Sequence, residues 1–293
     1  MKRSQLGLCL CFAMLPTLGA LHAGEKWAPG VSVQRFIEIA KDAPRTKADA
    51  KLPEGITAHE NIVFGTGGGR DLKLDLYVPS GEGPHPGALV VHGGGWIGGN
   101  KEAFRPFAMQ LAARGFVVAT SQYRLATEAP FPGAVEDCKA AVRWLRANAP
   151  AYKLDASRIG AVGGSAGGHL VGMVATTSDP AQFEGSGGNA TQSSALQAAV
   201  LMGAGVDQAT RAKESPTPIK SQLVFFGGTY AEKPAVYEAA SPITHLSPKT
   251  PPLLFIEGEF DTPGERYIEM RKRLDALGIP NRLVIVQDGK HGC

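Results

Sequence analysis

The segment RIGAVGGSAGGHL, residues 158–170, places one serine inside a cluster of glycines, directly after an apolar run. Glycine has no Cβ atom, so the glycines around Ser165 allow the backbone to turn sharply and to take angles that other residues resist. A serine at a sharp turn between a strand and a helix projects its hydroxyl above the edge of the sheet. The segment therefore predicts a strand, a nucleophile turn at Ser165 and a helix behind it. A glycine turn used for packing or anion binding is the alternative.

Apolar runs that suit buried strands alternate with helical segments along the rest of the chain. The runs are GALVVH at 87–92, GFVVATSQY at 115–123 and ALQAAVLMGAG at 195–205, and PPLLFIEGEFD and RLVIVQDGKHGC follow near the end. Ahead of them, ENIVFGTGGGRDLKLDLYVP predicts two antiparallel strands around a glycine-rich turn. This order predicts an α/β fold with a mostly parallel central sheet and helices on both faces. The long segment after residue 205 predicts a small lid-like insertion.

Composition and charge narrow the class of partner. The 293 residues carry a formal charge of +3, with 43% hydrophobic and 19% charged residues. This is an ordinary globular balance without the basic excess that nucleic-acid binding usually requires, so we expect no nucleic-acid partner. Cys138 falls on the apolar stripe of a predicted helix, and we expect it to be a buried core residue.

The N-terminal sequence MKRSQLGLCLCFAMLPTLGALHAG has the layout of a secretory signal: a basic start, an apolar run and small residues near Ala23. We expect residues 1–23 to be a cleaved signal peptide, and the mature protein to be secreted or periplasmic, with no membrane span. A membrane anchor is the alternative, but Pro16 and Gly19 interrupt a run shorter than the roughly 20 residues of a spanning helix. Residues 24–59 are polar and proline-punctuated, which predicts a linker or surface strap before a folded domain at 60–293.

A serine hydroxyl becomes a good nucleophile only when a base takes its proton and an acid orients that base. In a sheet of this kind the order is serine, acid, histidine. Three histidines follow Ser165: His169, His245 and His291. His169 lies one helical turn after the serine, where it is expected to pack, and His245 has no strand before it. His291 follows a strand end and is the predicted base.

The orienting acid is expected at the end of the preceding strand, in LLFIEGEFD. Asp261 is the choice, because it lies past Gly258 at the start of the loop. Glu257 and Glu259 remain alternatives, whereas Asp288 is too close to His291 along the chain.

A second glycine cluster, HGGGW at 92–96, follows the predicted strand at 87–92. Consecutive glycines free backbone amides to point into a site, where they can bind the oxyanion of a tetrahedral intermediate. We expect the amides of Gly94, Gly95 and Ala166 to form this oxyanion hole. His92 is expected to brace the loop. Trp96 either lines a substrate pocket or packs against the core.

Together these motifs resemble the α/β-hydrolase esterases with an HGGG loop. The similarity is to hormone-sensitive-lipase-like enzymes and especially to the bifunctional deacetylase and feruloyl-esterase group. It runs from about Glu60 to the end, through LKLDLYVP, HGGGW, GGSAGGHL, FGGTYAEKPAVYEAASPITHL and PPLLFIEGEFD. The resemblance implies Ser165 as nucleophile, His291 as base and Asp261 as orienting acid, with neither a metal nor an organic cofactor.

The resemblance implies a serine carboxylic-ester hydrolase acting on short acyl or aryl esters, such as acetyl or feruloyl esters of polysaccharides, and the N-terminal sequence adds the expectation that it is secreted. An arylformamidase-like amide hydrolase and a non-catalytic binding protein of the same fold are the alternatives. TPGE follows Asp261 where such enzymes often have a valine-proline pair. They also usually continue for a further helix after the histidine, so we expect either such a helix beyond Cys293 or an uncovered last face of the sheet.

Overall fold

The computed structural model describes residues 51–215, 217–262 and 264–292. The predicted signal peptide at 1–23 and most of the predicted linker at 24–59 lie outside the described residues. Eight strands form one sheet: β1 (Ile56–Gly67), β2 (Arg70–Pro79), β3 (His85–Val91), β4 (Val117–Ser121), β5 (Leu154–Gly164), β6 (Ala198–Met202), β7 (Leu253–Gly258) and β8 (Asn281–Val286).

The strand order in the sheet is β1-β2-β4-β3-β5-β6-β7-β8. β1 pairs antiparallel with β2, and β2 pairs antiparallel with β4. All the other neighbours, from β4 through β3 and β5 to β8, are parallel. The predicted antiparallel entry into a mostly parallel sheet is therefore confirmed.

Seven α-helices lie among the described residues: α1 (Arg105–Ala112), α2 (Gly133–Ala147), α3 (Ala166–Thr176), α4 (Gln208–Glu214), α5 (Lys220–Phe226), α6 (Pro234–Ala239) and α7 (Ile268–Ala276). Short 3-10 helices occur at Lys101–Phe104, Ala149–Tyr152, Pro242–His245 and Glu265–Tyr267. The segment between β6 and β7, predicted as an insertion, holds α4, α5 and α6.

Two hydrophobic clusters cover the two faces of the sheet. The smaller cluster packs α1, through Phe107 and Leu111, against alternate residues of the central strands. The larger cluster takes in α2 and α3, and Cys138 on α2 is fully buried there, as expected. Because both faces of the parallel strands are covered, these strands are continuous apolar runs.

Two element boundaries differ from the sequence expectation. β1 begins at Ile56, four residues before the expected domain start at residue 60, because it is an edge strand whose exposed residues look like a linker. The sequence ahead of Gly278 predicts a helix over residues 263–277, but the structure starts this helix at Ile268, after a 3-10 turn that follows Gly264 at φ +82°. A backbone at positive φ cannot continue a right-handed helix.

Parallel strands end at one edge of the sheet, and this edge is where the chain's glycine-rich and polar loops converge. β3 leads into the HGGGW loop, β5 into Ser165, β7 into Asp261 and β8 into His291. Across the described ranges, no helix is both long enough and apolar enough to cross a bilayer.

Candidate active site

Ser165 occupies a tight turn between β5, which ends at Gly164, and α3, which begins at Ala166. Its φ is +55° and its ψ −119°, angles that a residue with a side chain rarely adopts. The Ser165 amide donates a 2.7 Å hydrogen bond to the Met202 carbonyl at the end of β6. A Cβ at Gly167 would collide with the carbonyl oxygens of Val91 and His92. The glycine cluster therefore lets α3 start against the end of β3, and the turn holds the serine at the sheet edge.

His291 and Asp261 form a continuous hydrogen-bonded chain with Ser165. His291 Nε2 lies 2.8 Å from Ser165 Oγ, and His291 Nδ1 lies 2.8 Å from Asp261 Oδ2. Asp261 is acceptor-only when ionised, so Nδ1 carries the imidazole proton and donates it to Oδ2. Nε2 then presents its lone pair to the serine hydroxyl. The structure thus brings together the three residues that the sequence predicts as nucleophile, base and acid.

The second carboxylate oxygen of Asp261 is held by Arg266, from the 3-10 turn before α7. Arg266 Nη2 donates to Oδ1 at 2.8 Å, and Nη1 donates to the Gly203 carbonyl at 3.1 Å. Burial acts to raise the pKa of Asp261, but the hydrogen bond to His291, the neighbouring Glu257 carboxyl and the charge of Arg266 together lower it. The carboxylate is therefore ionised and fixed at both oxygens.

Glu257 is the residue before the last in β7, the strand that leads to Asp261, and its side chain is fully buried. Arg266 Nε approaches Oε1 at 3.1 Å, yet neither carboxyl oxygen makes a hydrogen bond of good geometry within the described part of the chain. Burial raises the pKa of Glu257 to about 8; the charge of Arg266 opposes this rise, and the Asp261 carboxylate adds to it. The environment of the Glu257 carboxyl, next to the orienting acid, therefore favours its neutral form.

The HGGGW loop runs directly beside the serine, since a Cβ built on Gly93 would lie 3.3 Å from Ser165 Cβ. Gly94 has φ +115°, which favours glycine, and its carbonyl accepts the amides of Ile97 and Gly98. Among the described residues, the amides of Gly94 and Gly95 donate no backbone hydrogen bond in the turns and loops. Ala166, the first residue of α3, has an amide without a partner inside that helix. These three amides are the predicted oxyanion donors.

Trp96 packs beneath this loop. The residue is 6% exposed; its indole stacks on Phe225 at a centroid distance of 4.5 Å and donates from Nε1 to His169 Nδ1 at 3.2 Å. His169 Nε2 in turn donates to the Ala240 carbonyl at 2.7 Å. Burial lowers the pKa of His169 to about 4, so the ring stays neutral. These contacts favour the packing interpretation of Trp96 over a pocket wall, and His169 packs as expected.

The alternative acids and histidines have other contacts. Glu259 accepts the Asp288 amide at 3.0 Å, and His245 Nε2 contacts the Ala239 carbonyl at 2.8 Å. His92 stacks on Tyr123 with centroids 4.3 Å apart, and its Nδ1 lies 2.8 Å from the Gly93 carbonyl. His92 therefore braces the loop. Among the described residues, no group of three or more His, Cys, Asp or Glu side chains could hold a metal ion.

Nothing in the sequence marks Arg266 as a residue of the site, because an arginine in the segment after a strand is common on a solvated surface. Glu257 does carry a sequence signal: an acid that closes the apolar run LLFI is expected to be buried and to need a partner.

A parallel sheet with a serine turn after β5, an acid after β7 and a histidine after β8 defines an α/β-hydrolase. The sequence model of the BD-FAE family matches residues 74–265, and the chain belongs to that family.

Two curated relatives that the chain matches are named as esterases. Esterase LipC of Mycobacterium tuberculosis is 31% identical over 204 residues, which cover 66% of this chain and 49% of the relative. Esterase LipQ of the same organism is 29% identical over 208 residues, covering 69% of this chain and 48% of the relative. This chain therefore spans about half the length of the curated relatives it matches.

Solved structures show the same fold. A truncated carbohydrate esterase from gut microbiota superposes with a TM-score of 0.72 at 26% identity, covering 80% of this chain and 89% of that one. Thermogutta terrifontis esterase 2 superposes with a TM-score of 0.66 at 25% identity, covering 84% of this chain and 88% of that one.

Proposed function

We propose that this protein is a serine carboxylic-ester hydrolase that acts through an acyl-enzyme. The observation that carries the proposal is the hydrogen-bonded chain from Ser165 Oγ through His291 to Asp261, with 2.8 Å at each contact. The esterase names of the relatives support it.

His291 takes the hydroxyl proton on Nε2 while Ser165 Oγ attacks the ester carbonyl carbon. The carbonyl oxygen becomes an oxyanion, which the amides of Gly94, Gly95 and Ala166 stabilise. Removing one such donor typically costs about 3 kcal/mol of transition-state stabilisation. Asp261 holds the ring in the required tautomer and stabilises the imidazolium.

The intermediate collapses when the bond from the carbonyl carbon to the alcohol oxygen breaks and His291 returns its proton to that oxygen. A water molecule then attacks the acyl-serine, and His291 takes the water's proton. Collapse of the second tetrahedral intermediate breaks the bond to Oγ, returns the proton to Ser165 and releases the carboxylic acid. The same imidazole serves as base and acid in both halves of the reaction.

The substrates proposed are short acyl or aryl esters, including acetyl or feruloyl esters of polysaccharides. The support is the likeness to the gut carbohydrate esterase together with membership of the BD-FAE family. We further propose that the mature protein is secreted or periplasmic, on the strength of the basic and apolar N-terminal sequence.

The test is hydrolysis of p-nitrophenyl acetate together with labelling by a fluorophosphonate probe. We expect the wild type to turn over the ester and take up the probe, and Ser165→Ala to do neither. Ser157→Ala, at an exposed serine hydroxyl on β5, is the matched control and should keep both properties. A wild type that neither hydrolyses the ester nor takes up the probe would refute the proposal, and so would equal labelling of Ser165→Ala.

A further inference from the structure

A buried ion pair lies at the far end of the loop that begins with HGGGW. Lys101 is the first residue of the 3-10 helix that follows this loop, and its Nζ donates to Asp75 Oδ2 on β2 at 2.6 Å. The side chains of Lys101 and Asp75 are only 3% and 2% exposed. Neither residue is a member of the hydrogen-bonded chain that joins Ser165 to Asp261.

Both members of the pair have further polar partners. Asp75 Oδ1 accepts the Asn61 amide at 2.8 Å, where the register of β1 shifts, so each carboxylate oxygen has a donor. Lys101 Nζ also donates to Glu102 Oε1 at 2.8 Å. Burial alone would lower the pKa of Lys101, but the hydrogen bonds to Asp75 and Glu102 raise it, so the ammonium stays charged. Breaking the pair would leave a charge buried without its partner, which is strongly destabilising.

The loop folds back on itself between its first glycines and Lys101. The Gly94 carbonyl accepts two amides from the second half of the loop, at 3.2 and 3.0 Å. Gly99 has φ +90° and packs so closely on the first half that a Cβ there would collide with the Gly93 carbonyl oxygen. The second half of the loop therefore supports the backbone that presents the amides of Gly94 and Gly95, and Lys101 fastens that half to β2.

The same 3-10 helix also contacts the nucleophile turn. Phe104 is its last residue, and a Cβ built on Gly164 would lie 2.9 Å from Phe104 Cζ. Gly164 is the residue before Ser165, so the short helix extends from β2, where Lys101 holds it, to the end of β5. A shift of this helix would therefore move the glycine loop relative to Ser165.

We propose that Lys101, paired with Asp75, is a positioning residue that holds the amides of Gly94 and Gly95 where the developing oxyanion needs them. The inference rests on the proposed ester hydrolysis. A buried ion pair adds little net stability, because the cost of taking two charges out of water offsets their attraction. It does restrict geometry, since any arrangement that separates the charges leaves both unpaired in the interior. An oxyanion hole depends on such a restriction, because its donors must be in place before the charge develops.

The test compares Lys101→Met with the wild type. Methionine is of similar length but uncharged, so the 3-10 helix loses its tie to Asp75. Complete loss of one oxyanion donor typically lowers kcat roughly a hundredfold to a thousandfold. Because loosening the loop removes only part of that stabilisation, we expect kcat for p-nitrophenyl acetate to fall about tenfold to a hundredfold, with KM within about twofold of the wild type.

Phenylboronic acid gives a second readout of the oxyanion hole. Ser165 Oγ adds to the boron while His291 takes the hydroxyl proton, and the tetrahedral boronate places an oxygen where the oxyanion forms. Such transition-state analogues report interactions that are stronger in the transition state than in the bound substrate. The inhibition constant for Lys101→Met should therefore rise by the same factor by which kcat falls.

Lys139→Met is the matched control, because it breaks a second buried lysine pair. Lys139 on α2 has a fully buried side chain and pairs with Glu184 at 2.7 Å. It also donates to the Thr177 carbonyl, at the end of α3 remote from Ser165. Measured at a temperature where tryptophan fluorescence shows folded protein, Lys139→Met should lose stability but keep kcat and the affinity for the boronic acid. Lys101→Arg keeps the charge and should retain more of kcat than Lys101→Met.

Wild-type kcat and boronic acid affinity in Lys101→Met would overturn the inference, as would an equal loss of kcat in Lys139→Met. Should Lys101→Met not fold, Asp75→Asn makes the same test, because its amide oxygen still accepts the Asn61 amide while the charge opposite Lys101 is removed. An unchanged kcat in that variant would equally overturn the inference. Failure of the proposed function shows separately, as a wild type that does not hydrolyse p-nitrophenyl acetate.

Discussion

Glu257→Gln should change how the stability of the protein depends on pH. The folded protein holds the Glu257 proton up to a pKa of about 8, whereas the ordinary value is 4.5. The unfolded chain releases this proton first as the pH rises. The free energy of unfolding therefore falls between pH 4.5 and 8, and the contribution of Glu257 is fully present only below pH 4.5.

The size of the effect follows from that interval. Each pKa unit corresponds to about 1.4 kcal/mol, so the wild type should lose on the order of 5 kcal/mol across the interval because of this one group. Glutamine has nearly the same shape and does not ionise. Glu257→Gln should therefore be close to the wild type near pH 4.5, and should gain on it by about 1.4 kcal/mol per pH unit up to pH 8.

The measurement is urea unfolding, followed by tryptophan fluorescence, at intervals from pH 4.5 to 9. Glu259→Gln makes the same chemical change two residues further on, at an exposed position, and is the matched control. Free energies of unfolding that differ between the wild type and Glu257→Gln by the same amount at every pH would refute the reasoning. If that constant difference is a loss of stability in the variant, Glu257 is an ionised partner of Arg266.

Three further changes test the site. Arg266→Gln should lower kcat for p-nitrophenyl acetate by about tenfold to a hundredfold with little change in KM, because Asp261 loses the donor that fixes its second oxygen and the catalytic geometry loosens. Arg273→Gln, at an exposed ion pair, is the control, and an unchanged kcat for Arg266→Gln would contradict the inference that Arg266 positions Asp261. Gly167→Ala should cost about 3 kcal/mol in urea unfolding, because the new methyl group meets the carbonyls that end β3, and a loss below 0.5 kcal/mol would show that α3 can shift at no cost. Trp96→Phe should cost about 1–3 kcal/mol by leaving the buried His169 Nδ1 without its donor, and calorimetry showing no change in Tm would argue against that hydrogen bond.

Motifs confined to a few consecutive residues were predictable from the sequence. The turn at Ser165 and the HGGGW loop need glycine because of local backbone angles and close approaches, so composition at those positions reveals them. The order of strands and helices follows from apolar runs in the same way. His291 could be chosen because the other histidines lie before the serine or away from strand ends.

Contacts between residues far apart in the sequence were harder to predict. Arg266 and Glu257 meet only because the turn before α7 lies over the end of β7, and no spacing rule encodes this. The packing of Trp96 depends on Phe225 and Ala240, which come from the insertion far along the chain. The sequence does not predict the first four residues of β1, because an edge strand with one buried residue shows no clear alternation of buried and exposed positions.

The hydrogen-bonded catalytic residues come from two parts of the molecule that are buried to different degrees. Ser165 sits between buried strands, with its amide tied to β6, whereas His291 follows a half-exposed edge strand and its own side chain is 55% exposed. Local openings begin where backbone and side chains are least covered. Heating should therefore abolish turnover by local opening of the loop that carries His291, while the hydrophobic core is still folded. Activity lost in this way should return on cooling.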